Sequence, residues 1–302
     1  DIKKSIQDSD LILIGPDKEG AQLESSKSFA KAFMQKHNIP TAKYKSFEGR
    51  YLDDAIEWIE NMIPPIVLKA DGLAAGKGVI ISPDHFSAIE EIQEMFEGKF
   101  GEASKEVVIE EFLSGIEFSV FVLTNGDEYV LLPEAKDYKR IGSGDTGLNN
   151  GEMGDISPVP FVNEELMEKV KKKIIEPTIQ GLKQDGISYQ GFIFFGLINV
   201  GGEPFVIEYN CRMGDPETEA VFPRIESDII ELMQACHDKK LQHYDLSISS
   251  KTVATIMLVS GGYPEDFAKG KTIELTTLSQ DSLLFHAGTK LKDGTLVTNG
   301  GR

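Results

Sequence analysis

Three polar residues that alternate along one short stretch could do chemistry together. Glu208, Asn210 and Arg212 lie two positions apart in residues 206–212, which alternate as a β-strand does. We therefore expect a carboxylate, an amide and a guanidinium on one face. Carboxylate and amide oxygens suit Mg²⁺, which also takes phosphate oxygens, and an arginine can neutralise a transferring phosphoryl group. The pattern favours ATP chemistry, although a solvated strand before a Gly-Asp-Pro turn fits so short a stretch equally well.

A glycine-rich loop is predicted between two β-branched strands, at 66–69 and 79–81. The loop contains Gly72, Gly76 and Gly78 with Lys77 between the last two, and this spacing is not that of a Walker A motif. A strand rather than a helix follows, so a helix N-terminus cannot supply the anion site. We expect a hairpin whose N–H groups close over phosphates, with Lys69 and Lys77 adding positive charge. A simple hairpin turn is the alternative.

Two other regions could contact ligands. The predicted strand 107–113 ends in acidic residues before a connector, which could offer backbone groups to an adenine edge while a nearby glutamate accepts from ribose hydroxyls. The turn-rich region 135–151 concentrates Lys136, Lys139 and Arg140 in an acidic chain, so it could hold a phosphate-bearing substrate. A solvated strand end and a mobile surface loop are the plainer interpretations.

Hydrophobic periodicity predicts the elements that position these residues. Lys27 lies at the boundary between the apolar and polar faces of the first predicted helix. As a lone lysine, it is expected to be solvated. In the third helix a core stripe is expected at Phe86, Ile89, Ile92 and Phe96. Helices are predicted at 21–37, 53–62, 83–96, 164–183 (broken at Pro177) and 227–239. Strands are predicted at 11–14, 44–47, 117–122, and 191–200 paired with 204–210 across Gly201-Gly202, with a β-rich segment from residue 251.

Composition excludes several classes of protein. The 302 residues carry a formal charge of −18, which argues against general affinity for nucleic acid or an anionic membrane. The longest apolar run, 191–200, has the length of a buried strand rather than a membrane span. Two cysteines fit a reducing compartment, and we expect a cytoplasmic protein. A chain that starts at Asp1 without Met is consistent with a segment of a longer protein.

Five motifs, taken in order, resemble those of the phosphoribosylamine–glycine ligase family. They are KADGLAAGKGV (69–79), VIEEFLSGIEFS (108–119), DYKRIGSGDTG (137–147), VIEYNCRMGDPETE (206–219) and FHAGTK (285–290). The resemblance extends from about residue 14 to the end. It implies an α+β protein with the ATP-grasp fold, in which two α+β lobes clamp ATP. It also implies remnants of an N-terminal Rossmann-like domain and a partial C-terminal β-rich domain.

The resemblance implies four segments. Residues 1–43 would be the N-terminal remnant with its linking helix, and 44–113 the small lobe with the glycine-rich loop. Residues 114–247 would be the large lobe with the metal and substrate sites, and 248–302 the partial C-terminal domain. We also expect a monomer or weak dimer.

The resemblance also implies roles for individual residues. ATP would be bound by Lys27, Lys69, Gly76, Lys77, Gly78, Glu110, Glu111, Phe112, Leu113 and Glu117, which moves Lys27 from the surface to the nucleotide. Mg²⁺ or Mn²⁺ would be held by Glu208 and Asn210. Arg212, Lys69 and Lys77 would be catalytic. The substrate would be bound by Asp137, Lys139, Arg140, Asp145, Gly147, Asn149, Arg212, Asp215 and Glu217.

The implied reaction joins glycine to phosphoribosylamine at the expense of ATP, in purine biosynthesis. This chain departs from the family's pattern at Asn150, Glu152 and Asp155, and the two added acids are unfavourable for an anionic substrate. Two alternatives therefore stay open: another ATP-grasp carboxylate–amine ligase, or a catalytically silent nucleotide-binding fragment. Many relatives within the fold carry a second acid on the strand before the metal strand, whereas residues 194–198 are apolar here, which favours the ligase.

Overall fold

A computed structural model describes residues 11–72, 78–142, 146–149, 151, 153–275 and 279–302, without the side chains of 140, 141 and 147–149. The α-helices are α1 (Gln22–Ser25), α2 (Lys27–Lys36), α3 (Leu52–Glu60), α4 (His85–Phe96), α5 (Glu164–Val170), α6 (Glu176–Gln184), α7 (Glu217–Val221) and α8 (Ile229–His237). The first strands are β1 (Tyr44–Glu48), β2 (Ile66–Ala70), β3 (Val79–Ser82), β4 (Glu106–Glu111), β5 (Ile116–Thr124), β6 (Tyr129–Leu131), β7 (Lys136–Asp137) and β8 (Arg140–Gly142). The others are β9 (Thr146–Asn149), β10 (Gly154–Ser157), β11 (Gly191–Val200), β12 (Glu203–Asn210), β13 (Val253–Ile256), β14 (Thr289–Lys292) and β15 (Thr295–Thr298).

A four-stranded antiparallel sheet, in the order β1-β4-β2-β3, packs one face against α3 and α4. Its strands alternate, so Ile66 and Leu68 enter this core while Val67 and Lys69 point to the opposite face. The predicted stripe on α4 is wrong at Phe86, which is 71% exposed. The fully buried positions of α4 are Ala88, Ile92 and Met95, because the buried face is rotated relative to the predicted one.

The second four-stranded sheet, in the order β12-β11-β5-β6, is covered on both faces. One core joins it to α2, α5 and α6, and another joins it to α8. Burial on both faces explains why 118–124 is a continuous buried run rather than an alternating one. The predicted hairpin of β11 and β12 is confirmed, and its turn residues Gly201 and Gly202 have φ of 60° and 90°.

Two predicted helices are interrupted. The first predicted helix breaks at Ser26, where the backbone is extended. The Ser26 side chain caps α2 by accepting a hydrogen bond from the Phe29 N–H. The second predicted helix runs from residue 164 to 184, but it contains a π-helical turn, Lys171–Ile175, which ends two residues before Pro177. Because proline has no N–H to donate, the hydrogen-bond register changes there and the chain continues as α6.

The predicted strand at residues 11–14 is wrong: it has no strand assignment, and Leu11 and Ile12 are exposed. An apolar run becomes a strand only where it joins a sheet, and residues 11–14 belong to none of the sheets formed by the described residues. The β-rich segment after 251 contributes β13, which joins a sheet in the order β13-β10-β7, and the β14–β15 hairpin. In the described residues no helix is long and apolar enough to cross a membrane.

Candidate functional site

A narrow cleft lies where α1 and α2, the small sheet and β12 meet. Its charged lining comes from Glu24 on α1, Lys27 and Lys31 on α2, Lys69 on β2, Glu110 on β4 and Glu208 on β12. Lys27 and Lys31 are four residues apart on a helix, so both face the cleft. We call Lys27, Lys31, Lys69 and Glu110 the lysine cluster.

The Glu110 carboxylate is the centre of the lysine cluster. Its Oε2 lies 3.0 Å from Nζ of Lys31 and 3.1 Å from Nζ of Lys69, and all three side chains are less than a tenth exposed. Its other oxygen, Oε1, is buried without a hydrogen-bond partner among the described residues. The expectation of a solvated strand end is therefore wrong for Glu110, because strand alternation turns this side chain inward between β1 and β2.

Each lysine of the cluster has a second contact that fixes its position. Lys31 donates to Oγ1 of Thr41 at 2.7 Å, and Lys69 donates to the Ile207 carbonyl at 3.3 Å. Lys27 donates to the Gly72 carbonyl at 3.3 Å, next to the start of the glycine-rich loop. Lys27 is therefore at the cleft rather than on an open surface, as the resemblance implied.

Three lysines and three glutamates line the cleft, but only Lys31, Lys69 and Glu110 of these are buried, so the buried groups carry an excess of one positive charge. Burial lowers the pKa of Lys31 to about 8, with Glu110 opposing the shift and Lys69 adding to it. Burial also lowers the pKa of Lys27, with Glu208 opposing. Burying excess positive charge is unfavourable unless an anion compensates it. The arrangement therefore suits a negatively charged ligand.

The end of β12 forms the opposite edge of the cleft. Tyr209 is buried while Glu208 is exposed, as the alternation predicts. Val206, which simple alternation would place on the face of Glu208, is buried instead, because the register with β11 shifts at Ile207. The strand ends at Asn210, and the Arg212 guanidinium reaches back to Asn210 Oδ1 at 3.3 Å and to Glu24 Oε1 at 3.2 Å. Among the described residues no group of three or more His, Cys, Asp or Glu could hold a metal ion. A metal at Glu208 and Asn210 would therefore need further ligands from a bound molecule.

The described part of the glycine-rich loop is short. The Gly78 carbonyl accepts a hydrogen bond from the Ala70 N–H at 2.8 Å, and Gly78 directly precedes β3, which pairs with β2 as the predicted hairpin requires. Gly76 and Lys77 lie outside the described residues.

The connector between β4 and β5 begins directly after β4, the strand that carries Glu110 of the lysine cluster. Glu111 Oε1 accepts from the Lys43 N–H at 2.9 Å, and Phe112 is 41% exposed. Leu113 is half-buried, and the Glu117 carboxylate pairs with Lys139 at 2.8 Å. The connector therefore links the two four-stranded sheets.

A second charged group has the opposite sign. Asp137 on β7 and Asp155 on β10 are paired in register, so their side chains share one face, and α7 brings Glu217 beside β10. All three are at least nine-tenths buried, and neither carboxyl oxygen of Asp155 has a hydrogen-bond partner among the described residues. We call these three residues the carboxyl cluster. Burial, with the neighbouring acids, raises the pKa of Asp155 to about 8 and that of Glu217 to about 7.

The other substrate-binding candidates are only partly described. Lys139 lies 3.4 Å from Asp137 Oδ2, at the edge of the carboxyl cluster. Asp215 accepts from Arg302 at 2.6 Å. The backbones of Arg140, Gly147 and Asn149 lie in the β8–β9 hairpin, with Arg140 opposite Asn149. Asp145 lies outside the described residues.

The sequence did not identify two residues of the site, Lys31 and Glu24. Lys31 carries a signal in hindsight, since it is one helical turn after Lys27 and adjacent in sequence to the buried Ala30. Glu24 binds Arg212 and also accepts from the Cys211 N–H at 2.8 Å. Nothing in its local sequence distinguishes Glu24 from a solvated helix residue.

The fold and cleft define an ATP-grasp protein. Residues 25–218 match the family described as phosphoribosylglycinamide synthetase, ATP-grasp (A) domain, and residues 253–302 match its C domain. The chain belongs to the phosphoribosylglycinamide synthetase family. The resemblance read from the five motifs and the ATP-grasp fold are both confirmed.

Individual relatives agree with this assignment. A phosphoribosylamine–glycine ligase of Chlorobaculum tepidum is 45% identical over 295 residues, which are 96% of this chain and 69% of the relative. The bifunctional purine biosynthetic protein PUR2,5 of Pichia angusta is also 45% identical, but the chain spans only 38% of it. The crystal structure of phosphoribosylamine–glycine ligase from Thermotoga maritima matches with a TM-score of 0.86 at 38% identity, covering 96% of this chain and 72% of that one.

A more distant solved structure shares the fold alone. The biotin carboxylase domain of the 2-oxoglutarate carboxylase from Hydrogenobacter thermophilus was crystallised with MgADP. It matches with a TM-score of 0.70 at 16% identity, covering 99% of this chain and 67% of that one. ATP-grasp neighbours of this chain therefore bind adenine nucleotides.

Proposed function

We propose that this chain joins glycine to phosphoribosylamine at the expense of ATP, giving glycinamide ribonucleotide, ADP and phosphate in purine biosynthesis. Membership of the synthetase family carries the proposal. The cleft supports it, because the excess positive charge of the lysine cluster faces the strand end that bears Glu208 and Asn210. A triphosphate between the two would have cations on one side and oxygen ligands on the other.

In this proposal the nucleotide lies along the cleft. Lys27 and Lys69 bind phosphate oxygens, the loop that contains Gly76, Lys77 and Gly78 covers them, and residues 110–113 line the adenine. Glu117 accepts from the ribose. The buried ammonium groups of the lysine cluster support the phosphate positions, since preorganised charges in a dry site stabilise anions far more than exposed ones do.

Mg²⁺ or Mn²⁺ would be held by Glu208 and Asn210. An exposed carboxylate and a partly exposed amide oxygen at one strand end fit a hard cation that takes its other ligands from phosphate and water. When bound, the cation would neutralise charge on the phosphates. Arg212 would stabilise the phosphoryl group as it transfers, and Glu24 would orient Arg212 through their 3.2 Å ion pair.

The proposed chemistry has two steps. A glycine carboxylate oxygen attacks the γ-phosphorus, the bond to the bridging oxygen breaks, and ADP leaves with the electron pair. The amine of phosphoribosylamine then attacks the carbonyl of glycyl phosphate, loses a proton, and expels phosphate. The protein contributes positioning and charge neutralisation, by Lys69, Lys77 and Arg212.

The substrates would bind beyond the connector. We propose that Asp137, Lys139, Asp215 and Glu217, with Arg212, contact glycine and phosphoribosylamine. The β8–β9 hairpin supports this, since it brings Arg140 and Asn149 opposite each other next to β7. The proposal extends to Asp145 and Gly147 of the same region.

We also retain the predictions of a cytoplasmic protein and of a monomer or weak dimer. The cysteines support the former: Cys211 and Cys236 are both free thiols.

Release of ADP tests the function. We expect ADP production only when MgATP, glycine and phosphoribosylamine are all present. Glu208→Gln should reduce turnover about a thousandfold while the protein stays folded. Glu203→Gln, at the far end of the same strand, is the matched control and should keep wild-type turnover. Turnover with a different acid in place of glycine would favour another ligase, and MgATP binding without any turnover would favour a silent fragment.

A further inference from the structure

Lys69 is already paired in the structure. Its ammonium lies 3.1 Å from Glu110 Oε2 and donates to the Ile207 carbonyl, so a phosphate must compete with a buried carboxylate for it. A carboxylate that lost its buried counter-ion would carry a large desolvation cost. Unless another cation stays with Glu110, Lys69 is held back from the phosphate.

Lys31 is that other cation. It lies 3.0 Å from the same carboxylate oxygen, and its side chain is only 3% exposed. Thr41 Oγ1 accepts from it at 2.7 Å, and Thr41 in turn donates to the Val206 carbonyl at 2.7 Å. The Tyr44 ring lies 5.6 Å from its ammonium. Both lysines line the cleft, but these contacts fix Lys31 on Glu110, and the Lys69 side chain is the more exposed of the two, at 8% against 3%.

We propose that Lys31 is a positioning residue that keeps Glu110 neutralised, so that Lys69 can leave Glu110 and bind a nucleotide phosphate. The inference rests on the proposed function only in taking the ligand to be a nucleotide. Two lysines on one carboxylate give a buried excess of one positive charge, and a phosphate restores the balance when Lys69 moves to it. Lys31 itself touches no phosphate.

Lys31→Met tests this directly. The variant leaves Glu110 paired with Lys69, so no buried charge is unpaired and folding should be retained. Lys69 then becomes the sole counter-ion of Glu110 and is less available. We expect the dissociation constant for MgADP to rise at least about tenfold, the effect of one charge-assisted hydrogen bond. The dissociation constant for adenosine, which has no phosphate, should change less than about threefold.

A double variant separates positioning from general damage. Glu110→Gln removes the carboxylate charge, so Lys69 no longer depends on Lys31. Adding Lys31→Met to Glu110→Gln should therefore change the dissociation constant for MgADP less than about threefold, and the comparison with Glu110→Gln alone cancels any contact of residue 110 with the adenine. Lys36→Met, on the exposed side of the same helix, is the matched control and should bind like wild type. Unfolding temperatures of all variants verify that they are folded.

Two results would overturn the proposal: equal weakening for MgADP and adenosine in Lys31→Met, or a loss of MgADP affinity from Lys31→Met in the Glu110→Gln background as large as in the wild-type background. Failure of the proposed function looks different, since wild-type protein would then not bind MgADP, or would bind it without the three-substrate turnover.

Discussion

The lysine cluster and the carboxyl cluster each bury an excess of charge, positive in the first and negative in the second, but they compensate it differently. In the lysine cluster two ammonium groups share one carboxylate oxygen, and the group lines a cleft. In the carboxyl cluster the carboxyl oxygens of Asp155 have no hydrogen-bond partner among the described residues, and the pKa values of about 8 for Asp155 and 7 for Glu217 mean that protons neutralise part of the charge. Excess positive charge at a cleft favours binding of an anionic ligand. Excess negative charge that is neutralised by protons lowers the free energy of unfolding at higher pH, where the protons are lost.

The prediction with the largest expected effect concerns Lys69→Met in the lysine cluster. The variant keeps the Lys31–Glu110 pair, so it should fold, but it loses the ammonium proposed to bind phosphate. We expect kcat/KM for ATP to fall about a thousandfold, as for loss of one preorganised charge. Steady-state ADP release measures it.

The control for Lys69→Met is Lys183→Met. Lys183 is exposed and pairs with Asp127 away from the cleft, so its loss should leave kcat/KM unchanged. If folded Lys69→Met keeps activity within tenfold of wild type, the lysine cluster is not a phosphate site and the contrast fails.

The second test is Asp155→Ala, at one of the three positions where the chain departs from the family's pattern. Between pH about 4 and 8 the folded state holds a proton on Asp155 that the unfolded state releases, because the folded pKa is raised to about 8. Stability from this group is therefore present below pH 4 and lost as pH rises towards 8. We expect Asp155→Ala to raise the free energy of unfolding by about 2 kcal/mol at pH 8, the cost of one unsatisfied buried polar group, and by less at pH 5.

Urea unfolding at both pH values measures this difference. The groups that face Asp155 are Asp137 and Lys136 on β7 and Glu217 on α7, and they are unchanged in the variant. Asp245→Ala, at an exposed position, should show no pH-dependent gain. A loss of stability at pH 8 in Asp155→Ala would mean that this carboxylate is satisfied, and that the two clusters do not differ as argued.

The sequence predicted local features well and long-range ones poorly. Alternation in β12 located the exposed Glu208 and the buried Tyr209, because one strand determines its own faces. The turn at Gly201-Gly202 followed from residues that tolerate positive φ. Lys31 was missed because its partner Glu110 is on a strand far along the chain. Phe86 was predicted to be buried but is exposed. Periodicity gives the spacing of the apolar residues along a helix, whereas the contacts with neighbouring elements determine which of them are buried.

The smallest expected effect is a proton taken up when nucleotide binds. Lys31 has a pKa of about 8 in the structure, so close to half of it is neutral at pH 8. A phosphate that draws Lys69 away from Glu110 removes a like charge from Lys31 and raises its pKa. MgADP binding at pH 8 should therefore take up as much as about half a proton, and less at pH 6.5 where Lys31 is already charged.

Calorimetry in Tris and in HEPES, whose ionisation enthalpies differ, measures this uptake. Lys31→Met should lose most of it, whereas Lys36→Met should keep it. Equal uptake in Lys31→Met and wild type would show that the lysine cluster does not change its charge when nucleotide binds.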